Sequence, residues 1–247
     1  MAENYRFGLP IAASTYASQI DLSLNIIHIG MVVIFVFWAI LFVYILFRFR
    51  KGRNPAADYN VKKWPVRSFL PDAAILVFEL LVIFMWGLPI WSQVKEAFPP
   101  TAQSNVVEMM AEQFAWGFQY AGPDGMFGGR DAKQINSGNT IGIDFNDPAS
   151  KDDIISLNEL HIPLGKPTIL YTTSKDVIHS FFVPEFRIKQ DVVPGMRIPI
   201  WFEPTKTGTF ELVCAQLCGL GHYRMMGTVV VHTPEDFENK LKEIKAQ

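Results

Sequence analysis

Hydrophobic positions divide the chain into two long apolar stretches followed by a region of short alternating runs. The stretch from Leu22 to Phe47 contains no Asp, Glu, Lys or Arg. A helix of that length spans about 39 Å, more than the ~30 Å hydrocarbon core of a bilayer. The stretch from Ala73 to Val94 contains one formally charged residue, Glu79. The pattern therefore predicts two membrane-spanning helices, at about 22–47 and 71–94.

After the second apolar stretch, the pattern changes to short runs rich in β-branched and aromatic residues and separated by Gly and Pro. These runs are Val106–Met110, Phe114–Tyr120, Thr168–Thr172, Arg197–Glu203 and Thr228–His232. Many short strands at turn-like spacing are typical of an all-β sandwich or barrel. The Gly- and Asp-rich stretch 122–142 predicts a long loop or hairpin excursion. Residues 234–245 have helical periodicity, with Thr233 as the predicted cap.

This pattern predicts a division into a lead-in at 1–21, a transmembrane helical hairpin at 22–95 and a β domain at 96–247. The loop connecting the two spans, 48–67, contains seven basic residues and one acid, Asp58. By the positive-inside rule this loop is cytoplasmic, and both termini lie on the outer side. The β domain has 13 Lys and Arg against 19 Asp and Glu. Its acidic surface serves either solubility alone or docking of a basic partner.

The candidate chemistry lies in one short loop. The only two cysteines of the 247-residue chain are Cys214 and Cys218, and His222 and Met225 follow them at spacings typical of ligands. Two thiolates, an imidazole and a thioether are soft or borderline ligands, which favour copper over Mg or Ca. A further imidazole, His179, lies upstream in Asp-Val-Ile-His-Ser-Phe-Phe-Val-Pro.

Three interpretations compete for the cysteines. A disulfide suits an oxidising compartment but leaves His179, His222 and Met225 unexplained. Structural zinc tolerates the Cys and His spacing but has no use for Met. A copper electron-transfer site uses Cys, His and a weak Met ligand, and the second cysteine is what a second copper ion requires. The residues favour dinuclear copper.

The chain resembles subunit II of the haem-copper cytochrome c oxidases from the first span to about Glu238. The resemblance lies in Cys-x3-Cys-x3-His-x2-Met, in the His179 segment, and in the two-helix anchor. Further matches are Lys189-Gln-Asp191-Val-Val-Pro-Gly and Glu112-Gln-Phe114-Ala-Trp116. The resemblance implies a cupredoxin-like Greek-key barrel or sandwich domain behind a helical hairpin.

The resemblance also implies the ligands of a dinuclear copper (CuA) centre. Cys214 and Cys218 would bridge two copper ions. One ion would also bind His179 and Met225, and the other would bind His222 and the backbone carbonyl of Gln216. The resemblance places haem in a partner subunit only, and the chain has no Cys-x-x-Cys-His motif for covalently attached haem.

Some positions depart from the family pattern. Where the family commonly has a Glu that helps to hold Mg or Mn at the subunit interface, this chain has Gln216, which puts that second metal site in doubt. Phe114 stands where an aromatic, usually Trp, receives electrons from cytochrome c, and Asp176 and Asp191 are candidates for donor docking. Trp64 stands where many members have an acid at a proton path, and Glu79 is a possible replacement.

By the resemblance, the chain accepts electrons from cytochrome c and passes them to haem in the catalytic subunit, where O2 is reduced and protons are translocated. The expected partners are haem-copper subunit I, subunit III, cytochrome c and membrane lipid, with no nucleic acid. The expected location is the bacterial inner membrane, with the copper domain outside. The main alternative is the CuA subunit of a copper-containing nitric-oxide reductase. A quinol-oxidase scaffold lacks the thiolates, nitrous-oxide reductase lacks this anchor, and a copper carrier fits so complete a loop poorly.

Overall fold

A computed structural model of the chain describes residues 8–53, 66–136 and 139–246. Within these ranges the chain forms two compact units. One consists of residues in 19–92, and the other combines residues 8–18 with the chain from 93 onward. Trp64 and much of the predicted connection 48–67 lie outside the described residues.

The first unit consists mainly of two apolar helices, Ala17–Arg48 and Leu70–Lys95, each long and apolar enough to cross a membrane. Both extend beyond the predicted spans, because the flanking residues continue the helical hydrogen bonding. Gly30 allows the helices to approach closely, since a Cβ there would lie 2.5 Å from the Phe78 ring. The second helix contains one wider turn of π-helix at Ile83–Gly87.

The second unit is a β-sandwich of two five-stranded sheets. The strands are β1 (Asn105–Glu112), β2 (Ala115–Tyr120), β3 (Ile154–Leu157), β4 (Glu159–Pro163), β5 (Thr168–Ser174), β6 (His179–Val183), β7 (Ile188–Val192), β8 (Ile198–Phe202), β9 (Gly208–Cys214) and β10 (Met226–His232). One sheet has the order β3-β2-β1-β5-β8 and the other β4-β10-β9-β6-β7. The predicted fold class, two apolar helices followed by an all-β sandwich, is confirmed.

The sandwich core is built from the inward-facing residues of both sheets. Trp116 on β2 is fully buried, and its ring meets Phe181 of β6 edge to face. Phe181 in turn stacks near Phe202 of β8. Aromatic side chains bury large apolar areas, so this column from both sheets fixes how the two layers face one another.

Residues 8–18 pack on the sandwich, although the sequence predicts only a lead-in there. Ala13, Tyr16 and Ala17 are fully buried. The Tyr16 hydroxyl donates a hydrogen bond to the backbone carbonyl of Trp201, and its ring meets the Trp201 ring edge to face. This short segment therefore belongs to the core of the β domain.

The chain after β10 forms the predicted helix, Pro234–Lys245. The Thr233 hydroxyl accepts a hydrogen bond from the backbone N–H of Asp236, which satisfies a donor at the helix start. Phe237 on its inner face is buried. The described part of the Gly- and Asp-rich stretch after β2 is irregular and includes a 3-10 turn at Ala132–Gln134.

Candidate metal centre

The candidate ligands come together because of how β6, β9 and the loop after β9 are connected. Cys214 is the last residue of β9 and lies opposite Phe181 of β6 in the sheet. β6 begins at His179, so this imidazole lies near Cys214. A short 3-10 turn, His222–Arg224, brings the loop back before β10 begins, and Met225 precedes that strand. Residues 35 apart in sequence therefore share one site.

The donor atoms lie at distances that suit metal ions rather than covalent bonds between them. The two sulfur atoms of Cys214 and Cys218 are 3.9 Å apart, far beyond the ~2.05 Å of a disulfide. Met225 Sδ lies 3.1 Å from His179 Nδ1 and 3.7 Å from Cys218 Sγ. His222 Nδ1 lies 3.5 Å from Cys218 Sγ. Two donors bound to one ion at ~2.0–2.3 Å are separated by such distances.

The backbone carbonyl of Gln216 completes the predicted set. Its oxygen lies 3.2 Å from Cys214 Sγ, while the Gln216 side chain is exposed. The sulfur atoms of Cys214, Cys218 and Met225 are buried, and His179 is fully buried. The structure therefore brings together every ligand that the sequence predicts, and only His222 and Gln216 among these residues are not buried.

The two thiols differ strongly in acidity. Burial raises the pKa of Cys214, but hydrogen bonds with His179 and with nearby backbone outweigh burial and lower that pKa to about 6. Burial and the neighbouring Cys214 thiolate raise the pKa of Cys218 to about 11. Two thiolates this close repel each other, so a cation bound between them favours the ionisation of both. The donor set therefore fits bound metal.

Asp176 orients the His179 ring. One Asp176 oxygen lies 2.8 Å from His179 Nε2, and because a carboxylate only accepts, Nε2–H is the donor. This leaves Nδ1 facing Met225 and the thiols. Burial acts to lower the pKa of His179, but hydrogen bonds with Cys214 and Asp176 outweigh it and raise that pKa. The Trp116 ring packs edge to face near the His179 ring.

The other predicted functional residues lie in different places. Phe114 is half-buried, and its ring lies against Gly219 and Gly221 of the metal loop. Asp191 is exposed on β7, opposite Ser180 in the sheet. Glu79 lies in the second apolar helix of the other unit and is exposed.

Sequence reasoning missed two features of the site. Gln113, next to Phe114, donates a side-chain hydrogen bond of 2.5 Å to the backbone carbonyl of Cys218. Its place in the Glu-Gln-Phe-Ala-Trp motif was the available signal. The metal loop also has three large, strongly exposed side chains, Leu217, Leu220 and Tyr223, of which Leu220 is 98% exposed.

Comparison with known proteins identifies the family. The family model described as cytochrome C oxidase subunit II, periplasmic domain, matches residues 105–233. This match covers the whole sandwich and every candidate ligand.

Relatives that match most of the chain extend the similarity to the helices. The alternative cytochrome c oxidase subunit 2 of Bradyrhizobium diazoefficiens is 37% identical over 215 residues, which cover 85% of this chain and 76% of the relative. The cytochrome c oxidase subunit 2 of Cereibacter sphaeroides is 28% identical over 250 residues, covering 96% and 80%.

Among solved structures, the periplasmic domain of subunit II of cytochrome oxidase from Bradyrhizobium japonicum is similar. It is 27% identical, covers 61% of this chain and 98% of that chain, and has a TM-score of 0.45. Family model, relatives and the gathered donor set agree. The chain belongs to the cytochrome c oxidase subunit II family: it is a membrane-anchored subunit of a haem-copper oxidoreductase, with a cupredoxin-like domain.

Proposed function

We propose that the chain holds a dinuclear copper (CuA) centre and is the subunit through which electrons reach a haem-copper oxidase. The observation that carries this proposal is the pair of buried, unbonded thiols of Cys214 and Cys218, 3.9 Å apart and surrounded by imidazole and thioether donors. In the proposed centre Cys214 and Cys218 would hold both copper ions. His179 and Met225 would complete the donor set of one ion, and His222 and the backbone carbonyl of Gln216 would complete that of the other.

Copper accounts for this donor set better than zinc. A tetrahedral zinc site is complete with Cys214, Cys218, His179 and His222 and leaves the buried thioether without a role. Met225 Sδ instead contacts both His179 and Cys218, and a weak thioether ligand beside Cys and His is typical of copper sites of the cupredoxin type.

When bound, two copper ions that share two thiolates distribute one electron between them, so each bond changes little on transfer. The chain's own residues keep the donors rigid. Two backbone hydrogen bonds hold the start of the loop. The Cys214 N–H donates to the Met225 carbonyl, and the Ala215 N–H donates to the Ser180 carbonyl. Asp176 fixes the tautomer of His179. Burial excludes water from the thiols.

We propose that electrons arrive from cytochrome c and leave toward haem in the catalytic subunit. Phe114 offers an aromatic surface in direct contact with the metal loop, which supports a role where electrons enter. Asp176 and Asp191 add negative charge to an acidic domain that suits a basic donor. Exposed Leu217, Leu220 and Tyr223 supply apolar area on the same loop. Because the relatives are cytochrome c oxidases, O2 is favoured over NO as the final acceptor.

The proposed setting is the bacterial inner membrane. The basic residues between the two helices favour a cytoplasmic connection, which places the copper domain and both termini on the periplasmic side. The proposed neighbours are catalytic subunit I and subunit III. A Mg or Mn site at the subunit interface is not supported by the exposed amide of Gln216, because hard cations favour carboxylate.

We also propose that Glu79 acts in proton uptake by the assembled oxidase. Glu79 lies about 14 Å along the second helix from Leu70, within the apolar span. A carboxyl at such depth is costly unless it is neutral or has a partner, so intramembrane acids are commonly functional. The π-helical turn that begins at Ile83 follows one turn later, and such turns often occur at functional sites.

Metal analysis of variants tests the copper proposal. The full-length chain purified in detergent and loaded with copper is expected to hold two copper ions. Replacing Cys214 or Cys218 with Ser removes a bridging thiolate and is expected to leave one copper or none. Ser180→Ala, a buried polar position beside the site, is the matched control and is expected to hold two. One tightly held zinc in the parent chain would contradict the proposal.

A further inference from the structure

The turn between β1 and β2 is hydrogen-bonded directly to the metal loop. At this turn, the backbone N–H of Gln113 donates to one Asp176 oxygen at 2.7 Å. The side-chain amide of the same residue donates to the backbone carbonyl of Cys218 at 2.5 Å. A single residue thus contacts the segment that carries His179 and the loop that carries Cys218.

Asp176 extends this connection to a ligand. Its other oxygen accepts from His179 Nε2–H at 2.8 Å. A continuous series of hydrogen bonds therefore runs from His179 through Asp176 and Gln113 to the Cys218 carbonyl. This series joins two ligands that come from different parts of the sequence. We call it the Gln113 bracket.

The metal loop packs tightly against the Gln113 side chain at Gly219. Gly219 follows Cys218 and has φ +135°, a backbone conformation that residues other than glycine rarely adopt. A Cβ at Gly219 would lie 2.6 Å from the Gln113 amide nitrogen. The Cys218–Gly219 peptide unit is therefore held in one orientation by backbone conformation and by the Gln113 amide together.

We propose that Gln113 is a positioning residue for the metal centre: its amide fixes the Cys218–Gly219 peptide and thereby sets where the Cys218 thiolate lies relative to His179. This inference rests on the proposed copper centre. Without the amide donor, the loop keeps its sequence and its ligands, but the peptide carrying the bridging sulfur gains freedom. Partners that orient ligands in this way commonly change metal affinity by ~10–100-fold.

The test compares Gln113→Met with the parent chain, full-length and in detergent. Methionine matches the length of glutamine but has no N–H donor. Gln190→Met is the matched control, because Gln190 on β7 also donates a side-chain hydrogen bond to a backbone carbonyl, that of Asp191, while its side-chain oxygen accepts from Lys95. The readouts are copper loss to a chelator, the copper hyperfine pattern in electron paramagnetic resonance, and amide hydrogen exchange of residues 215–224 in the metal-free chain.

Gln113→Met is expected to lose copper about tenfold faster, to shift the hyperfine splitting, and to exchange loop amides faster. Gln190→Met is expected to match the parent. If Gln113→Met matches the parent in all three readouts, the bracket has no positioning role. If the parent binds no copper pair, the proposed function fails, and amide exchange alone then decides: faster exchange in Gln113→Met supports the bracket, and unchanged exchange overturns it.

Discussion

The ring of Phe114 fills the space into which a side chain at position 221 would project. A Cβ built on Gly221 would lie 2.4 Å from Phe114 Cδ2, closer than real Cβ contacts. The backbone of Gly221 has φ −93°, which any residue adopts, so the ring alone accounts for the need for glycine here. The aromatic proposed to receive electrons and the loop that carries the ligands therefore constrain each other.

Gly221→Ala is expected to push the metal loop away from Phe114 and weaken copper binding. Overpacking of this kind typically costs about 1–3 kcal/mol. Chelator competition on the full-length chain measures the change. Gly52→Ala, where a Cβ meets nothing within 4 Å, is the control. Phe114→Leu combined with Gly221→Ala makes room and is expected to recover part of the loss. Equal copper affinity in Gly221→Ala and the parent would show that the ring moves freely.

Tyr16 is expected to stabilise the β domain, although it precedes the two helices in the sequence and the strands follow them. Its side chain is fully buried, so Tyr16→Ala is expected to lower the free energy of unfolding by about 3–5 kcal/mol. Tyr16→Phe removes only the hydrogen bond to the Trp201 carbonyl and is expected to cost about 1 kcal/mol. Urea unfolding of the metal-free chain, followed by tryptophan fluorescence, measures both. Tyr223→Ala, at an exposed position, is the control. A Tyr16→Ala chain as stable as this control would mean that residues 8–18 do not stabilise the domain.

The pair His161 and His232 is expected to make the β domain sensitive to acid. Their ring nitrogens are 3.0 Å apart, and His161 is buried. Burial, and then repulsion from His232, lower the pKa of His161 to about 4 from an ordinary value of 6.5; Glu159 opposes this shift and Lys240 adds to it. Burial likewise lowers the pKa of His232, with Asp236 opposing. The unfolded chain therefore binds more protons than the folded chain between pH 6.5 and about 4.

The contribution of His161 to the free energy of unfolding is then expected to be complete above pH 6.5 and to fall as the pH decreases toward about 4. The measurement is the urea midpoint of the metal-free chain at several pH values in this window. His161→Gln keeps a polar side chain of similar length that does not titrate, and its midpoint is expected to depend less on pH. Parallel pH dependences of parent and variant would assign the acid sensitivity to other groups.

The ligand loop could be predicted from sequence because it is local. Cys214, Cys218, His222 and Met225 lie within twelve consecutive residues, and their chemistry is specific. The role of residues 8–18 could not be predicted, because Tyr16 packs on Trp201 from far away in sequence and no periodicity marks the segment. The contacts of Gln113 were hidden for the same reason. The Glu-Gln-Phe-Ala-Trp motif marks Gln113 but does not identify its partners, which come from two other loops.

Glu79→Gln in the assembled oxidase tests the proton-uptake proposal. The amide keeps the size of the carboxyl but cannot exchange its proton, so turnover and proton pumping are expected to fall together to a small fraction of the parent values. Asp72→Asn, near the start of the same helix, is the control and is expected to leave both unchanged. Unchanged turnover and pumping in Glu79→Gln would reduce Glu79 to a structural contact.

The most direct measurement is an electron paramagnetic resonance spectrum of the full-length chain in detergent, loaded with copper. The full chain is needed because residues 8–18 form part of the domain core. The predicted spectrum shows one unpaired electron split equally by two copper nuclei, lost in Cys218→Ser. A spectrum from one isolated copper ion, or no copper signal with zinc or a disulfide at Cys214 and Cys218, would contradict the dinuclear centre.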